Sequence, residues 1–306
     1  MPDPISRRSL FRYAALSAGL MMSDRLAAAP LIRSTAPETD RERLARWLRT
    51  LRSEGLGDPS GPAGRAVARA AELALGTPYK AYTLEQYLVD GGDPRREPLT
   101  LHLDVFDCVS LVESAIAAAR TAAKGVRAGW EDFAGEMERM RYRDGVRNGY
   151  ASRLHYFSEW IADGARRGLL RDLGPELSAD EDRRPLRFMT EHRGSYPALR
   201  DDATFAAIGA MERALDDSPR HVIPTARIPE VQDRIQSGDV LAFATSIAGL
   251  DVTHTGLAHR DGGGVLRVLH APLSGGAVEV SRSTLPEYVA AIRRSTGILV
   301  ARPLRA

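Results

Sequence analysis

This chain of 306 residues has one cysteine, Cys108, and two lysines against 40 arginines. A single thiol excludes any internal disulfide. The arginine excess follows genomic base composition rather than a function. Charge of one sign is also lacking, since the net charge is +2. Without residues 1–29, which hold Arg7, Arg8, Arg12 and Arg25 against Asp3 and Asp24, 38 basic and 38 acidic residues remain. A near-neutral chain gives no support to nucleic-acid binding. The apolar stretch from Tyr13 to Met22 is too short for a permanent membrane anchor. No internal repeat, low-complexity tract or His-Glu metal motif is present.

What is there begins with Ser6-Arg7-Arg8-Ser9-Leu10-Phe11-Arg12, which resembles a twin-arginine export motif. Small residues at Ala27-Ala28-Ala29 follow the apolar stretch. Residues 1–29 therefore read as a signal peptide, 30–39 as a linker and 40–306 as a single domain. The chain is expected in the periplasm or secreted, with the twin-arginine machinery as its export partner and no stable membrane anchor. Helical periodicity runs over Asp40–Leu56, Ala63–Leu75, Glu131–Arg141, Ser152–Arg167 and Thr204–Leu215. After Pro224 the character changes to short apolar runs: Val240–Ala244, His254–His259, Val265–His270, Val278–Val280 and Gly297–Ala301. Helices first and strands later predict an α+β fold, with an antiparallel meander packed against the cysteine helix.

Cys108 lies in Phe106-Asp107-Cys108-Val109-Ser110-Leu111-Val112-Glu113. Val109, Val112, Ala115, Ile116 and Ala119 fall at helical spacing, which puts Cys108 in a first helical turn with Asp107 as N-cap. The positive helix end is expected to favour the thiolate, the form that attacks carbonyls. Among seven histidines, His254 opens one strand and His270 ends the next, across the turn Asp261-Gly262-Gly263-Gly264. That placement suits a base and a group that orients it. His259, five residues past His254, is expected on the opposite face, as a surface or packing histidine. A zinc site of His254, His259 and His270 is disfavoured by the same geometry.

The order Asp107-Cys108-x-x-Leu-Val-Glu, Ser-Gly-Asp-Val, His-x-Gly and His-Ala resembles the NlpC/P60 superfamily of papain-like cell-wall hydrolases. Tyr142-Arg143-Asp144-Gly145, Ser152-Arg153-Leu154-His155-Tyr156-Phe157, Leu250–Gly256 and Leu269-His270-Ala271 bring it closer to the DUF1460 branch. The resemblance covers about Val67 to Leu304 and implies a papain-like fold, its nucleophile helix on an antiparallel sheet with extra helices. It implies hydrolysis of the N-acetylmuramoyl-L-alanine bond of peptidoglycan fragments (muropeptides), with 1,6-anhydro ends preferred. Cys108 would be the nucleophile, His254 the base and His270 the third polar residue. Arg153, His155, Arg143 and Asp144 would contact substrate, and no cofactor or metal is called for. One departure is Pro272, where the family often has Ser after the His-Ala pair. The alternatives are a stem-peptide endopeptidase and a wall-binding module without activity.

Overall fold

The computed structural model describes residues 37–272, 274 and 276–305. The expected signal peptide and most of the expected linker lie outside the described residues. Thr39 caps the first helix, α1 (Asp40–Ser53), through a reciprocal capping box with Glu42. Its Leu44, Trp47, Leu48 and Leu51 recur at i, i+3, i+4 and i+7 and are all buried. Next come α2 (Ala63–Glu72), α3 (Cys108–Ala123), α4 (Trp130–Arg141), α5 (Phe157–Arg166), α6 (Asp202–Ala214) and α7 (Leu285–Ala291). Buried on nearly every side from Ser110 to Ala122, α3 is the central helix. Its alanines let α1, α2 and α4 approach closely, and two buried ion pairs, Arg120–Glu136 and Arg141–Glu113, bind it to α4.

The sheet consists of β1 (Leu170–Asp172), β2 (Asp180–Asp182), β3 (Arg220–Pro224), β4 (Val240–Thr245), β5 (Val252–Arg260), β6 (Leu266–His270), β7 (Glu279–Val280) and β8 (Ser295–Pro303). Every described pairing between these strands is antiparallel, in the order β2-β3-β8-β4-β5-β6-β7, with β1 also on β8. The expected meander is thus β4 to β7. The strand expected at the end of the chain is not at an edge; it lies inside the sheet, between β3 and β4. The expected helix over 152–167 is shorter, because Arg153 is extended and bridges Tyr142, so α5 starts at Phe157.

Strand alternation separates two cores. Ala242, Ala244, Leu257, Leu269 and Leu299 face the helices. Leu241, Phe243, Ala258, Val268 and Val300 face the other side, which α7 covers with Leu285 and Val289. A third cluster around Tyr156, Phe188 and Leu199 packs under α6. Helix α2 meets the sheet at Gly238, where φ is +87° and a β-carbon would stand 2.0 Å from the Gly64 carbonyl oxygen. Only glycine allows that approach.

Candidate functional site

Cys108 is the first residue of α3, as expected. The Asp107 carboxylate accepts from the Ser110 N–H at 2.7 Å, and the Ser110 hydroxyl accepts from the Asp107 N–H at 2.9 Å. This box fixes the turn that carries the thiol. The sulfur is met by the backbone N–H groups of Thr255, Val109 and Cys108 itself. Thr255 directly follows His254, so the helix start and the histidine strand meet at the thiol.

His254 and His270 come together. His254 Nε2 lies 2.9 Å from His270 Nδ1, with the rings at 76°. The register that pairs Leu257 with Leu269 sets His270 opposite Gly256 and diagonal to His254. Gly256 makes room for the contact, since a β-carbon there would stand 3.0 Å from that of His270. A bulge helps as well: pairing passes from Phe243↔His254 to Ala244↔Val252, leaving Thr253 without a ladder partner. Bulges of this kind re-aim neighbouring side chains. The Phe243 ring stacks on His254 at 5.6 Å and 13°, and the Tyr288 hydroxyl of α7 is 3.3 Å from His270 Nδ1.

Both histidines are buried. Burial, then the neighbouring His270, pushes His254 down to about 3. Burial alone pushes His270 down to about 4. The expectation for Cys108 needs correction here. Burial first, and the Asp107 carboxylate second, push the thiol up to about 12, against the three N–H groups that favour the thiolate. The helix end does supply donors, but removal from water outweighs them. Burial, and then the charge Cys108 would carry, also hold the Tyr79 and Tyr288 hydroxyls above the ordinary phenol range. Burial thus disfavours the charged form of the thiol and of both imidazoles. With Nε2 of His254 engaged by His270, its Nδ1 is buried and makes no hydrogen bond. That nitrogen can take a proton when the hydrogen of His254 sits on Nε2.

A cleft of about 280 Å³ opens beside the pair, lined by Thr253, His254, His270, Pro272, Ser274, Glu279, Tyr288 and Ile292. Phe243, Tyr288 and Glu279 were not legible as site residues. Phe243 lies 11 residues before His254 and Glu279 nine after His270, but nothing local marks them as facing the histidines.

His259 points to the helix face and bonds Glu72 of α2 at 3.1 Å, away from His254 and His270, as expected. The four residues expected to contact substrate hold protein partners and are not among those lining the cleft. Arg153 is buried between Glu85 at 2.7 Å and Glu97 at 3.5 Å, over the Tyr150 ring. Burial opposes its charge, yet the two carboxylates outweigh it and hold Arg153 well above its ordinary range. His155 Nε2 meets the Tyr150 carbonyl at 2.8 Å. Arg143 donates to Glu159 at 2.6 Å, and Asp144, at φ +56°, accepts from Arg166. Among the described residues, Asp40, His102 and Asp104 form the one His/carboxylate group compact enough to hold a metal, and it does not include the histidine pair.

The fold has known counterparts. A Bacteroides uniformis N-acetylmuramoyl-L-alanine amidase is 31% identical, superposes with a TM-score of 0.72, and matches over 79% of this chain and 99% of its own. A Bacteroides fragilis protein named as a candidate xylanase is 35% identical, with a TM-score of 0.69 over 76% of this chain and 99% of its own. A Legionella pneumophila protein described by the DUF1460 family model shares the fold at 19% identity, with a TM-score of 0.61 over 86% of this chain and 94% of its own. No curated protein matches the sequence. The model of the AmiA-like family matches residues 69–298, a span that holds Cys108, His254 and His270, and the chain belongs to this N-acetylmuramoyl-L-alanine amidase-like family.

Proposed function

We propose that the protein is a cysteine amidase of the papain-like NlpC/P60 type that cuts the N-acetylmuramoyl-L-alanine bond of peptidoglycan fragments, 1,6-anhydro-muropeptides above all. The observation that carries this is the free, buried Nδ1 of His254, held by the Nε2 contact to His270 beside the helix that presents Cys108. His254 takes the thiol proton as the sulfur attacks the lactyl carbonyl. A neutral pair suits this, because the charges appear only together and in a dry site where they attract strongly. Backbone N–H groups at the start of α3 would receive the developing oxyanion. The protonated His254 then donates to the departing amine of L-Ala, and water releases the acyl-enzyme. A xylanase-type reaction would need two carboxylates across the scissile bond. The cleft lining holds only Glu279.

Arg143, Asp144, Arg153 and His155 enter this reading as the side that meets sugar and stem carboxylates. They would act by exchanging present partners for substrate, as an Arg does when it meets a carboxylate bidentately. Residues 40–306 would act as one domain, delivered to the periplasm or outside by the twin-arginine signal over 1–29. Among the described residues no helix is long and apolar enough to cross a membrane. Replacing Arg7 and Arg8 by lysine should leave the precursor in the cytoplasm; undiminished export would refute that route.

The deciding experiment is mass spectrometry of anhydro-muropeptides and of the matching free stem peptide after incubation with wild type and Cys108→Ala. Wild type should release an intact stem beginning with L-Ala from the first substrate and leave the second uncut, while the variant does neither. Fragmented stem peptide from both substrates would establish an endopeptidase. Loss of activity on chelation but not on alkylation would overturn the cysteine mechanism.

A further inference from the structure

A histidine in the third position differs from an amide or a carboxylate in having a second ring nitrogen. Two hydrogen arrangements satisfy the 2.9 Å contact between His254 Nε2 and His270 Nδ1. In one, His254 donates from Nε2, so its Nδ1 is bare and can accept the thiol proton. In the other, His270 donates from Nδ1, so the hydrogen of His254 sits on Nδ1 and blocks the base. The Tyr288 hydroxyl, 3.3 Å from His270 Nδ1, can donate or accept and so does not choose between them.

The other nitrogen of His270 does choose. Nε2 is buried and unpartnered. The nearby carboxylate oxygen is Oε1 of Glu279, 3.8 Å away, just beyond hydrogen-bond distance. Glu279 stands directly opposite His270 across the β6–β7 pair and lines the cleft, with its side chain 61% exposed. It can therefore swing through the remaining ångström without disturbing the core. A carboxylate only accepts, and it can accept from Nε2 only in the arrangement that leaves Nδ1 of His254 bare.

We propose that Glu279 is a positioning residue of the site: when the cleft is filled, its carboxylate takes the Nε2–H of His270 and thereby holds His254 in the tautomer able to deprotonate Cys108. This rests on the reading of Cys108 and His254 given above. No proton passes to Glu279. The thiol proton goes to Nδ1 of His254, the hydrogen of His270 stays on Nε2, and the positive charge gained by the two imidazoles faces the carboxylate. Filling the cleft removes the water that screens this contact, so the coupling is strongest in the complex. Among the described residues, the titratable groups facing the pair are Glu279 on β7 and Tyr288 on α7, and Tyr288 in turn feels the charge Cys108 on α3 would carry.

The test is steady-state kinetics of Glu279→Gln and Glu279→Ala on an anhydro-muropeptide from pH 3 to 9. Both should lose about tenfold or more in kcat, as when other histidine-orienting carboxylates are removed, with KM within about twofold. In Glu279→Gln the acid limb of kcat should move to lower pH, since a negative charge that favours the protonated relay is gone. In Glu279→Ala, formate but not chloride should restore part of kcat. Wild-type kcat and an unmoved limb, or a loss of kcat that neither shifts the limb nor responds to formate, overturns the proposal. Run alongside, Cys108→Ala should be inactive and His254→Ala slower by at least about 100-fold. If those two keep wild-type turnover, the reading of the site itself fails, whatever Glu279 does.

Discussion

The buried histidine pair makes the fold lose stability on acidification. In an unfolded chain both imidazoles titrate near the ordinary histidine value of about 6.5, whereas in the fold they sit near 3 and 4. Above pH 7 neither state binds these protons, so the pair contributes nothing to the pH dependence. As pH falls through 6.5 the unfolded chain takes up two protons that the folded state refuses, and stability falls. At pH 5 the loss is about 2 kcal/mol per imidazole, about 4 kcal/mol together. That is a large part of the roughly 5–15 kcal/mol that holds a typical domain. The loss stops growing only near pH 3, where the folded state protonates too. Urea unfolding of wild type and of the double variant His254→Gln/His270→Asn at pH 8, 6.5 and 5 isolates the effect, because packing changes offset the two curves equally at every pH. Wild type should lose about 4 kcal/mol more than the variant between pH 8 and 5. Parallel curves would mean that the imidazoles titrate normally in the fold. A relative gain for wild type on acidification would mean that Cys108 holds His254 as an imidazolium, and the neutral-pair account would be wrong.

Asp107→Asn should keep the helix cap, since asparagine caps as well as aspartate, while removing a charge that raises the Cys108 thiol. Its alkylation by iodoacetamide at pH 8 should be faster than in wild type, with a thermal midpoint within about 2 °C, as a few tenths of a kcal/mol would give; an unchanged rate would remove Asp107 as a cause. Gly256→Ala puts a methyl group 2.9 Å from the Leu269 carbonyl oxygen and 3.0 Å from the His270 β-carbon. It should cost about 1–3 kcal/mol and most of the turnover, and wild-type kcat would show that the diagonal histidine contact is dispensable. His254→Ala should cost at least about 100-fold in rate, whereas His259→Ala, which loses only the bond to Glu72, should leave kcat unchanged; equal losses would contradict the separation of the two faces.

Sequence carried the nucleophile helix and the histidine strands because their signals are local. Asp107 before a 3.6-residue apolar period marks a helix start, and the run of three glycines after Asp261 marks a hairpin between β5 and β6. The segment from Asp180 to Arg184 reads only as charge, yet Asp180–Asp182 forms β2 on an edge, where acidic side chains meet solvent and partnering is one-sided. Arg143, Asp144 and Arg153 look like free polar groups in sequence, and their ion pairs with residues as distant as Glu85 are tertiary. The state of the thiol was misjudged for the same reason. A helix terminus is visible in eight residues, whereas the surroundings that overrule it are tertiary and include the His254 strand about 150 residues away.

The internal position of β8 governs the order in which the chain can fold during synthesis. The sheet has a gap between β3 and β4 until residues 295–303 arrive. From the end of β4 to the end of β8 the ribosome needs about 3–12 s at 5–20 residues per second. Throughout that interval Val240-Leu241-Ala242-Phe243-Ala244-Thr245, buried at every position in the finished fold, has an open edge. A nascent chain in this condition is a client for holding chaperones and a hazard for edge-to-edge association. Maturation of the site is equally late, because the strand and helix that bring Glu279 and Tyr288 to the histidines belong to the same final stretch.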